Sequence, residues 1–183
     1  MNIIFDESIA NKYMKGYSRQ ISSITDIVIH GTGGGESAKS LLNWMLTLNG
    51  ETSEDKKKKE ERYKKGIGLY HYLIDINGDI YNIIDPKNGV YHSDCGEFDL
   101  LHTIGIELLN TEEKNRGEYT EDQYTALFQL ISYLREIFFM IINIGSHDYY
   151  RHIFSGLAKK PCPGMTFNWS LVEKNVPGLW IKN

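Results

Sequence analysis

Three side chains have the chemistry of a metal site, although they lie far apart along the chain: His30, His147 and Cys162. Each histidine ends a short apolar run and precedes a glycine or a polar residue, so its side chain can reach a shared cleft. Cys162 lies between two prolines, and the lysines before it favour the thiolate that binds metals. Two imidazoles and one thiolate suit zinc, and three protein ligands leave the fourth position for a water molecule. The spacing excludes a zinc finger, whose paired ligands lie roughly two to five residues apart.

His152 and Cys95 are the alternatives to this assignment. His152 is a competing ligand, but we prefer His147 because it directly ends a predicted strand. A catalytic cysteine needs a base that orients it, and no residue near Cys95 is singled out for that role. We therefore expect Cys95 to be a free thiol, neither a nucleophile nor a disulfide partner of Cys162. The glycine run 33–35 lacks the lysine and hydroxyl of a phosphate-binding loop and predicts a flexible turn.

Apolar residues recur at strand or helix spacing along most of the chain, and these elements must bring the ligands together. Strands are predicted at residues 24–30, 70–76, 79–84, 103–109 and 140–144, and helices at 37–48, 120–138 and 168–174. Asn77 and Gly78 predict a type I′ turn between the second and third strands, and Gln123 stands at the capping-box position relative to Thr120. This order predicts an α/β fold, a single domain with a central mixed β-sheet flanked by α-helices and a zinc site at the strand ends.

Some segments are expected to lie outside the core of this domain, which spans residues 1–183. We expect residues 1–20 and 50–66 to be peripheral. The run 54–62 has no apolar residue and predicts a solvated loop or a frayed helix end. Residues 149–154, which follow His147, are expected to form a loop beside the cleft.

Composition argues against several classes of function. The 183 residues are 41% hydrophobic and 24% charged, which is ordinary for one globular domain. A formal net charge of −4 argues against a nucleic-acid binder that relies on phosphate contacts. No run approaches the ~20 apolar residues of a membrane-spanning helix, so no membrane insertion is expected. The N-terminus lacks the basic start, apolar core and cleavage site of a secretory signal peptide, which predicts a cytoplasmic origin.

Six short segments resemble, in the same order, the zinc-dependent N-acetylmuramoyl-L-alanine amidases, whose fold is shared by peptidoglycan recognition proteins and phage amidase endolysins. These segments are IVIHGT at 27–32, YHYLID followed by NG at 70–78, YH at 91–92, IGIEL at 104–108, SHD at 146–148 and KPCPG at 160–164. The resemblance implies that His30, His147 and Cys162 bind Zn²⁺. It also implies that water activated there attacks the lactyl carbonyl of N-acetylmuramic acid and releases the stem peptide at its L-alanine nitrogen.

The same resemblance implies roles for four further residues. Lys160 matches a lysine two residues before the last ligand, where its charge stabilises the oxyanion. Tyr70 matches a tyrosine that orients the water or shares in proton transfer, and Glu107 matches a carboxylate that some relatives use as general base; we rank Tyr70 first. His92 matches a histidine that lines the substrate cleft. His71 is expected to point to the opposite face from Tyr70, and neither His71 nor His92 is expected to be a ligand.

The expected protein is a monomeric amidase that binds peptidoglycan or muropeptides, in the manner of a phage endolysin that stays in the cytoplasm until it is released to the cell wall. A cytoplasmic amidase that recycles muropeptides is one alternative. A non-catalytic peptidoglycan recognition module is another, although recognition-only relatives often lose the third ligand, which is Cys162 here. A metalloenzyme with a different amide substrate also stays open, because the site does not name the polymer.

Overall fold

A mixed β-sheet forms the centre of the computed structural model, which describes residues 2–13, 17–112, 115–157 and 161–183. The described residues form the strands β1 (Ile3–Phe5), β2 (Asp26–Gly31), β3 (Tyr72–Ile74), β4 (Ile80–Asn82), β5 (Thr103–Leu108), β6 (Asn143–Ser146) and β7 (Trp180–Lys182), in the spatial order β1-β4-β3-β5-β2-β6-β7. The helices are α1 (Ser8–Tyr13), α2 (Ala38–Thr47), α3 (Ser53–Lys64), α4 (Glu97–His102), α5 (Glu121–Ile137), α6 (His147–Ser155) and α7 (Trp169–Asn175), with a 3-10 turn at Ile21–Ser23. The predicted single-domain α/β fold is confirmed.

Strand β2 lies near the middle of the sheet and runs parallel to both of its neighbours, β5 and β6. All of its residues are buried, as expected for a β-branched run in a parallel sheet. In the observed register His30 is opposite Glu107, and Ile29 is opposite Ser146, which directly precedes His147. The parallel register therefore brings the ends of three strands, with their polar residues, to one edge of the sheet.

Successive side chains of β2 point alternately to the main core and to the face of the sheet that carries the candidate site. Ile27 and Ile29 pack into the larger core cluster, to which α5 and α7 contribute. Val28 and His30 point to the other face because successive strand residues alternate sides. On that face Val28 packs in a small cluster with Tyr150 of α6. His30 is thus the strand's last side chain on the face away from α5.

Helix α5 begins with the predicted capping box, which is confirmed. Thr120 Oγ1 accepts a hydrogen bond from the Gln123 N–H (3.1 Å), and Gln123 Oε1 accepts one from the Thr120 N–H (3.0 Å). The buried Gln123 amide also donates to the Leu109 carbonyl (2.8 Å) and so ties the helix to the end of β5. None of the helices in the described ranges, α5 included, is long and apolar enough for a membrane span.

The β3–β4 hairpin is present, but the predicted type I′ turn is wrong. Such a turn needs positive φ at both central residues, and only Gly78 has one here (φ 81°). The Gly78 N–H donates to the Asp75 carbonyl (2.9 Å), and the Asp75 N–H donates to the Asp79 carbonyl (2.9 Å). This pattern is a three-residue loop in which a tight turn is followed by a left-handed glycine.

The charged run 54–62 forms the middle of a continuous helix, α3, so the predicted loop or frayed end is wrong. Thr52 caps the helix by accepting from the Asp55 N–H (3.2 Å). An i,i+4 ion pair joins Glu54 to Lys58 (2.6 Å), and Tyr63 anchors the last turn in the core. Capping and a single buried aromatic residue compensate for the missing apolar stripe.

The segment after His147 is also helical, which corrects the loop predicted at 149–154. Ser146 caps α6 by accepting from the Tyr149 N–H (3.0 Å). The fully buried Tyr150 donates to Asp26 Oδ1 (2.5 Å) at the start of β2. His147 is therefore the first residue of a helix, held at the end of β6 by the cap.

Candidate active site

His30, His147 and Cys162 converge at the edge of the sheet, with one ligand atom from each lying within 4.8 Å of the others. His30 and Cys162 are buried, and His147 is half-buried. The Cys162 sulfur lies 4.0 Å from His30 Nδ1, so this ring nitrogen faces the thiol. The sequence-predicted ligand set is thus brought together by the end of β2, the start of α6 and the segment that contains Cys162.

The loop with Cys162 reaches β2 because Gly31 has no side chain. The Gly31 N–H donates to the Cys162 sulfur (3.4 Å). A Cβ at residue 31 would overlap the Tyr119 hydroxyl and lie 2.9 Å from the Pro163 carbonyl oxygen. An N–H donor aimed at sulfur suits a thiolate ligand, since it stabilises negative charge. The donor set of two imidazoles and one such sulfur fits zinc, and its open side faces a cavity.

The cavity beside this group has a volume of about 820 Å³. Its walls come from the ends of β2 and β5, the start of α6, and residues 115–116 and 161–166. The lining residues are His30, Gly31, Gly33, His92, Glu107, Asn115, Arg116, His147, Pro161, Cys162, Met165 and Thr166. A cavity of this size accommodates a small ligand or a segment of a polymer.

Burial and the neighbouring histidines keep His30 neutral, which is the form of imidazole that can bind a metal. Burial lowers the pKa of His30 well below its ordinary value, and the nearby His147, His92 and His71 lower it further. A neutral imidazole has one nitrogen with a free lone pair. The site therefore holds His30 ready for a cation without first removing a proton.

Glu107 is the carboxylate that lines the cavity among the described residues. Its strand position is opposite His30 in the β2–β5 register, so both side chains leave the sheet on the same face. The role of general base that the resemblance implies for Glu107 stays a prediction.

Tyr70 is buried, and its hydroxyl is bonded within the protein. Its hydroxyl donates to the Met45 sulfur (3.4 Å), and the ring is buried in the apolar cluster around α1 and α2. It does not line the cavity. Burial, with the charge of Glu107 as a smaller cause, raises the pKa of Tyr70 well above its ordinary value. The roles of Tyr70 and Glu107 in proton transfer stay predictions.

His92 contacts His30 through one ring nitrogen and Thr103 through the other. His92 Nδ1 lies 2.9 Å from His30 Nε2, and His92 Nε2 lies 2.7 Å from Thr103 Oγ1. The side chain is only 2% exposed. His92 also lines the cavity, so the expected contact with substrate stays a prediction. The sequence offered no signal for Thr103, because a threonine at a strand start has many roles.

His71 is fully buried and lies outside the candidate ligand group. Its Nδ1 accepts from the Gly105 N–H (3.0 Å), and its Nε2 lies 3.0 Å from the Asn88 carbonyl oxygen. His152 is exposed, and its Nδ1 lies 3.2 Å from the Leu157 carbonyl oxygen. It does not join the candidate ligands either.

The remaining sequence-predicted residues are a lysine and a cysteine. Lys160 lies outside the described residues. Cys95 is a free, buried thiol, as expected, and burial raises its pKa to about 12. Arg116, which the sequence reasoning missed, is the residue with a permanent positive charge among the described lining residues.

Comparisons with solved structures show the same fold. The amidase LysC from Clostridium intestinale URNW superposes with a TM-score of 0.62 at 19% identity, covering 95% of this chain and 96% of that one. The Ph2119 endolysin from the Thermus scotoductus MAT2119 bacteriophage has a TM-score of 0.58 at 20% identity, covering 95% and 98%. Apis mellifera PGRP-SA has a TM-score of 0.68 at 14% identity, covering 98% of each chain.

Comparison at the sequence level identifies the family. No curated protein sequence matches the chain. The family model described as N-acetylmuramoyl-L-alanine amidase matches residues 20–165, a range that includes all three candidate ligands. Since this match spans well over half of the chain, the protein belongs to the N-acetylmuramoyl-L-alanine amidase family.

Proposed function

We propose that the protein is a zinc-dependent amidase that cleaves the bond between N-acetylmuramic acid and L-alanine in peptidoglycan, in the role of a phage-type endolysin. The convergence of His30, His147 and Cys162 at the cavity is the observation that carries this proposal. The donor types fit Zn²⁺, and the cavity leaves room for water and substrate on the open side. When bound, zinc polarises a carbonyl oxygen and lowers the pKa of water to about 7.

Glu107 is the proposed general base because it lines the cavity opposite His30. The oxygen of the attacking water bonds to the lactyl carbonyl carbon while one of its protons passes to Glu107. The carbon–nitrogen bond then breaks as this proton goes to the L-alanine nitrogen, which leaves as an amine. A carboxylate used in this way contributes roughly 10²–10⁴-fold to the rate.

Lys160 is proposed, from the resemblance, to stabilise the oxyanion that develops on the carbonyl oxygen. Tyr70 is proposed to support the site through packing, because its hydroxyl is bonded to Met45. His92 is proposed to hold His30 in place, because its ring nitrogens are bonded within the protein.

The complete donor set favours catalysis over a recognition module. The likeness to PGRP-SA supports the recognition module as the second candidate, because that protein is a peptidoglycan recognition protein and the folds agree. The likeness to the Ph2119 endolysin fits the proposed phage role.

The decisive experiment measures zinc content and amide cleavage in the same preparations. The purified protein and Cys162→Ser are analysed for bound zinc and for new L-alanine amino groups released from peptidoglycan. We expect about one zinc per chain and cleavage in the wild type, with both lost in the variant. Cys95→Ser is the matched control, because it removes the other thiol and should keep both signals.

The substrate form separates the remaining candidates. Cleavage of intact peptidoglycan supports the endolysin role, whereas cleavage restricted to soluble muropeptides supports recycling. Zinc-free protein that binds muropeptides without cleaving them would refute the proposal and support the recognition module.

A further inference from the structure

We propose that Thr103 and His92 set the tautomer of His30, through a one-way chain of hydrogen bonds whose final acceptor is the backbone carbonyl of Asp99. His92 and Thr103 are thus positioning residues, which act on the metal site through His30. This inference rests on the proposed function in taking His30 as a metal ligand.

The direction of the chain follows from its last acceptor. The Thr103 hydroxyl lies 3.0 Å from the Asp99 carbonyl oxygen and donates to it. A carbonyl oxygen has no proton to give, and a threonine hydroxyl has only one. Thr103 Oγ1 must then act as an acceptor towards its other neighbour, His92 Nε2, at 2.7 Å.

This assignment propagates to the metal site. His92 carries its proton on Nε2, so its Nδ1 is the acceptor in the 2.9 Å contact with His30 Nε2. His30 must then carry its own proton on Nε2. Its Nδ1 is left with the free lone pair, and this is the nitrogen that faces the Cys162 sulfur at 4.0 Å. The protein thereby presents the correct nitrogen of His30 before any metal arrives.

The surroundings hold this chain in one geometry. Thr103 and Asp99 are fully buried, and the His92 side chain is 2% exposed, so water has little access to compete for these bonds. The Asp99 carboxylate accepts from the N–H groups of Ser93 (2.9 Å) and Cys95 (3.1 Å), which fixes the segment that leads from His92 to Asp99.

Gly105 provides the space for the His92 ring. A Cβ at residue 105 would lie 2.8 Å from His92 Cγ, and the three nearest atoms would all belong to this ring. The IGIEL segment therefore has two functions on one face of β5, since Gly105 seats His92 and Glu107 lines the cavity.

The test uses metal-free protein with ¹⁵N-labelled histidine, in which long-range proton–nitrogen correlations report the tautomer of each ring. We expect the Nε2–H form for both His30 and His92. Thr103→Val, which keeps the side-chain shape without the hydroxyl, should mix the tautomers of both rings. Thr103→Ser should restore them, and Thr47→Val on α2 is the matched control.

Zinc affinity, measured by competition with a chelator, is the second readout. Thr103→Val should weaken zinc binding on the order of 10-fold, since partners of metal-ligating histidines contribute at that level. Thr103→Ser should recover most of this loss. Thermal unfolding of each variant checks that the fold is intact.

The outcomes separate this inference from the proposed function. An Nδ1–H form of His92 in the wild type, or tautomers in Thr103→Val identical to the wild type, would overturn the inference even if zinc binds. Wild-type protein that binds no zinc would refute the proposed function, while the tautomer spectra would still decide the hydrogen-bond chain.

Discussion

Replacing Gly105 with alanine tests how strand β5 positions the His92 ring beside His30. The new methyl carbon would lie 2.8, 2.9 and 3.0 Å from His92 Cγ, Cδ2 and Nδ1. Because the ring is buried and bonded at both nitrogens, it cannot rotate away cheaply. Restoring an ordinary contact of about 3.4 Å needs a shift of roughly 0.6 Å, enough to lengthen the 2.9 Å bond to His30 beyond a normal hydrogen bond.

Two magnitudes follow from this clash. Overpacking of this kind lowers the free energy of unfolding by about 1–3 kcal/mol. Loss of the His92 contact should weaken zinc binding on the order of 10-fold. Urea unfolding of the metal-free protein and chelator competition measure the two effects separately.

A double-mutant cycle isolates the cause. In a His92→Ala background the obstructing ring is gone, and alanine is better than glycine inside a strand by roughly 0.5–1 kcal/mol. Gly105→Ala should therefore be neutral or stabilising in that background. Gly33→Ala, where a Cβ would meet no atom within 4 Å, controls for glycine replacement and should leave the free energy of unfolding nearly unchanged. The reasoning is refuted if Gly105→Ala costs the same with and without the His92 ring.

Three further predictions concern proton transfer and stability. Glu107→Gln should keep zinc but lower kcat by roughly 10²–10⁴-fold, and a kcat within a few-fold of wild type would remove Glu107 from the mechanism. Tyr70→Phe should lower the free energy of unfolding by about 0.5–1.5 kcal/mol and leave kcat within about 2-fold, since only the bond to Met45 is lost; a large fall in kcat would restore Tyr70 as a catalytic residue. Burial lowers the pKa of both His30 and His71 well below 6.5, so the unfolded chain takes up protons first as the pH falls. The free energy of unfolding of the metal-free protein should therefore keep its full value above about pH 6.5 and fall progressively below that pH. Equal free energies of unfolding, measured in urea at about pH 8 and pH 5.5, would contradict the assignment.

Local patterns were sufficient for the central elements of the fold. The β-branched run before His30 identified β2, and the capping residues Thr120 and Gln123 located the start of α5. Both signals act over a few residues, so they survive without knowledge of the tertiary contacts. The three-residue edge strands β1 and β7 were not predicted, because their pairing partners lie far away in the sequence.

Tertiary context decided the segments with ambiguous patterns. The run 54–62 has no apolar stripe, yet it is helical because the helix is capped at Thr52 and anchored by Tyr63. The segment after His147 is helical because Tyr150 finds a buried partner in Asp26, 124 positions away. The Thr52 cap is a local signal, but the burial of Tyr63 and the contact of Tyr150 with Asp26 are not visible in a sequence window.

The candidate site was also predicted in part from the sequence and in part only seen in the fold. Residue types and the family resemblance together predicted a zinc site, because two histidines and a cysteine are donors that zinc takes. The neighbours that contact this group became known from the folded structure alone. It buries the Tyr70 hydroxyl against Met45, and it bonds both ring nitrogens of His92 within the protein, to His30 and Thr103. The physical reason is that residue type sets what a side chain can do, whereas the sheet register and the burial of each ring set which atoms it can reach.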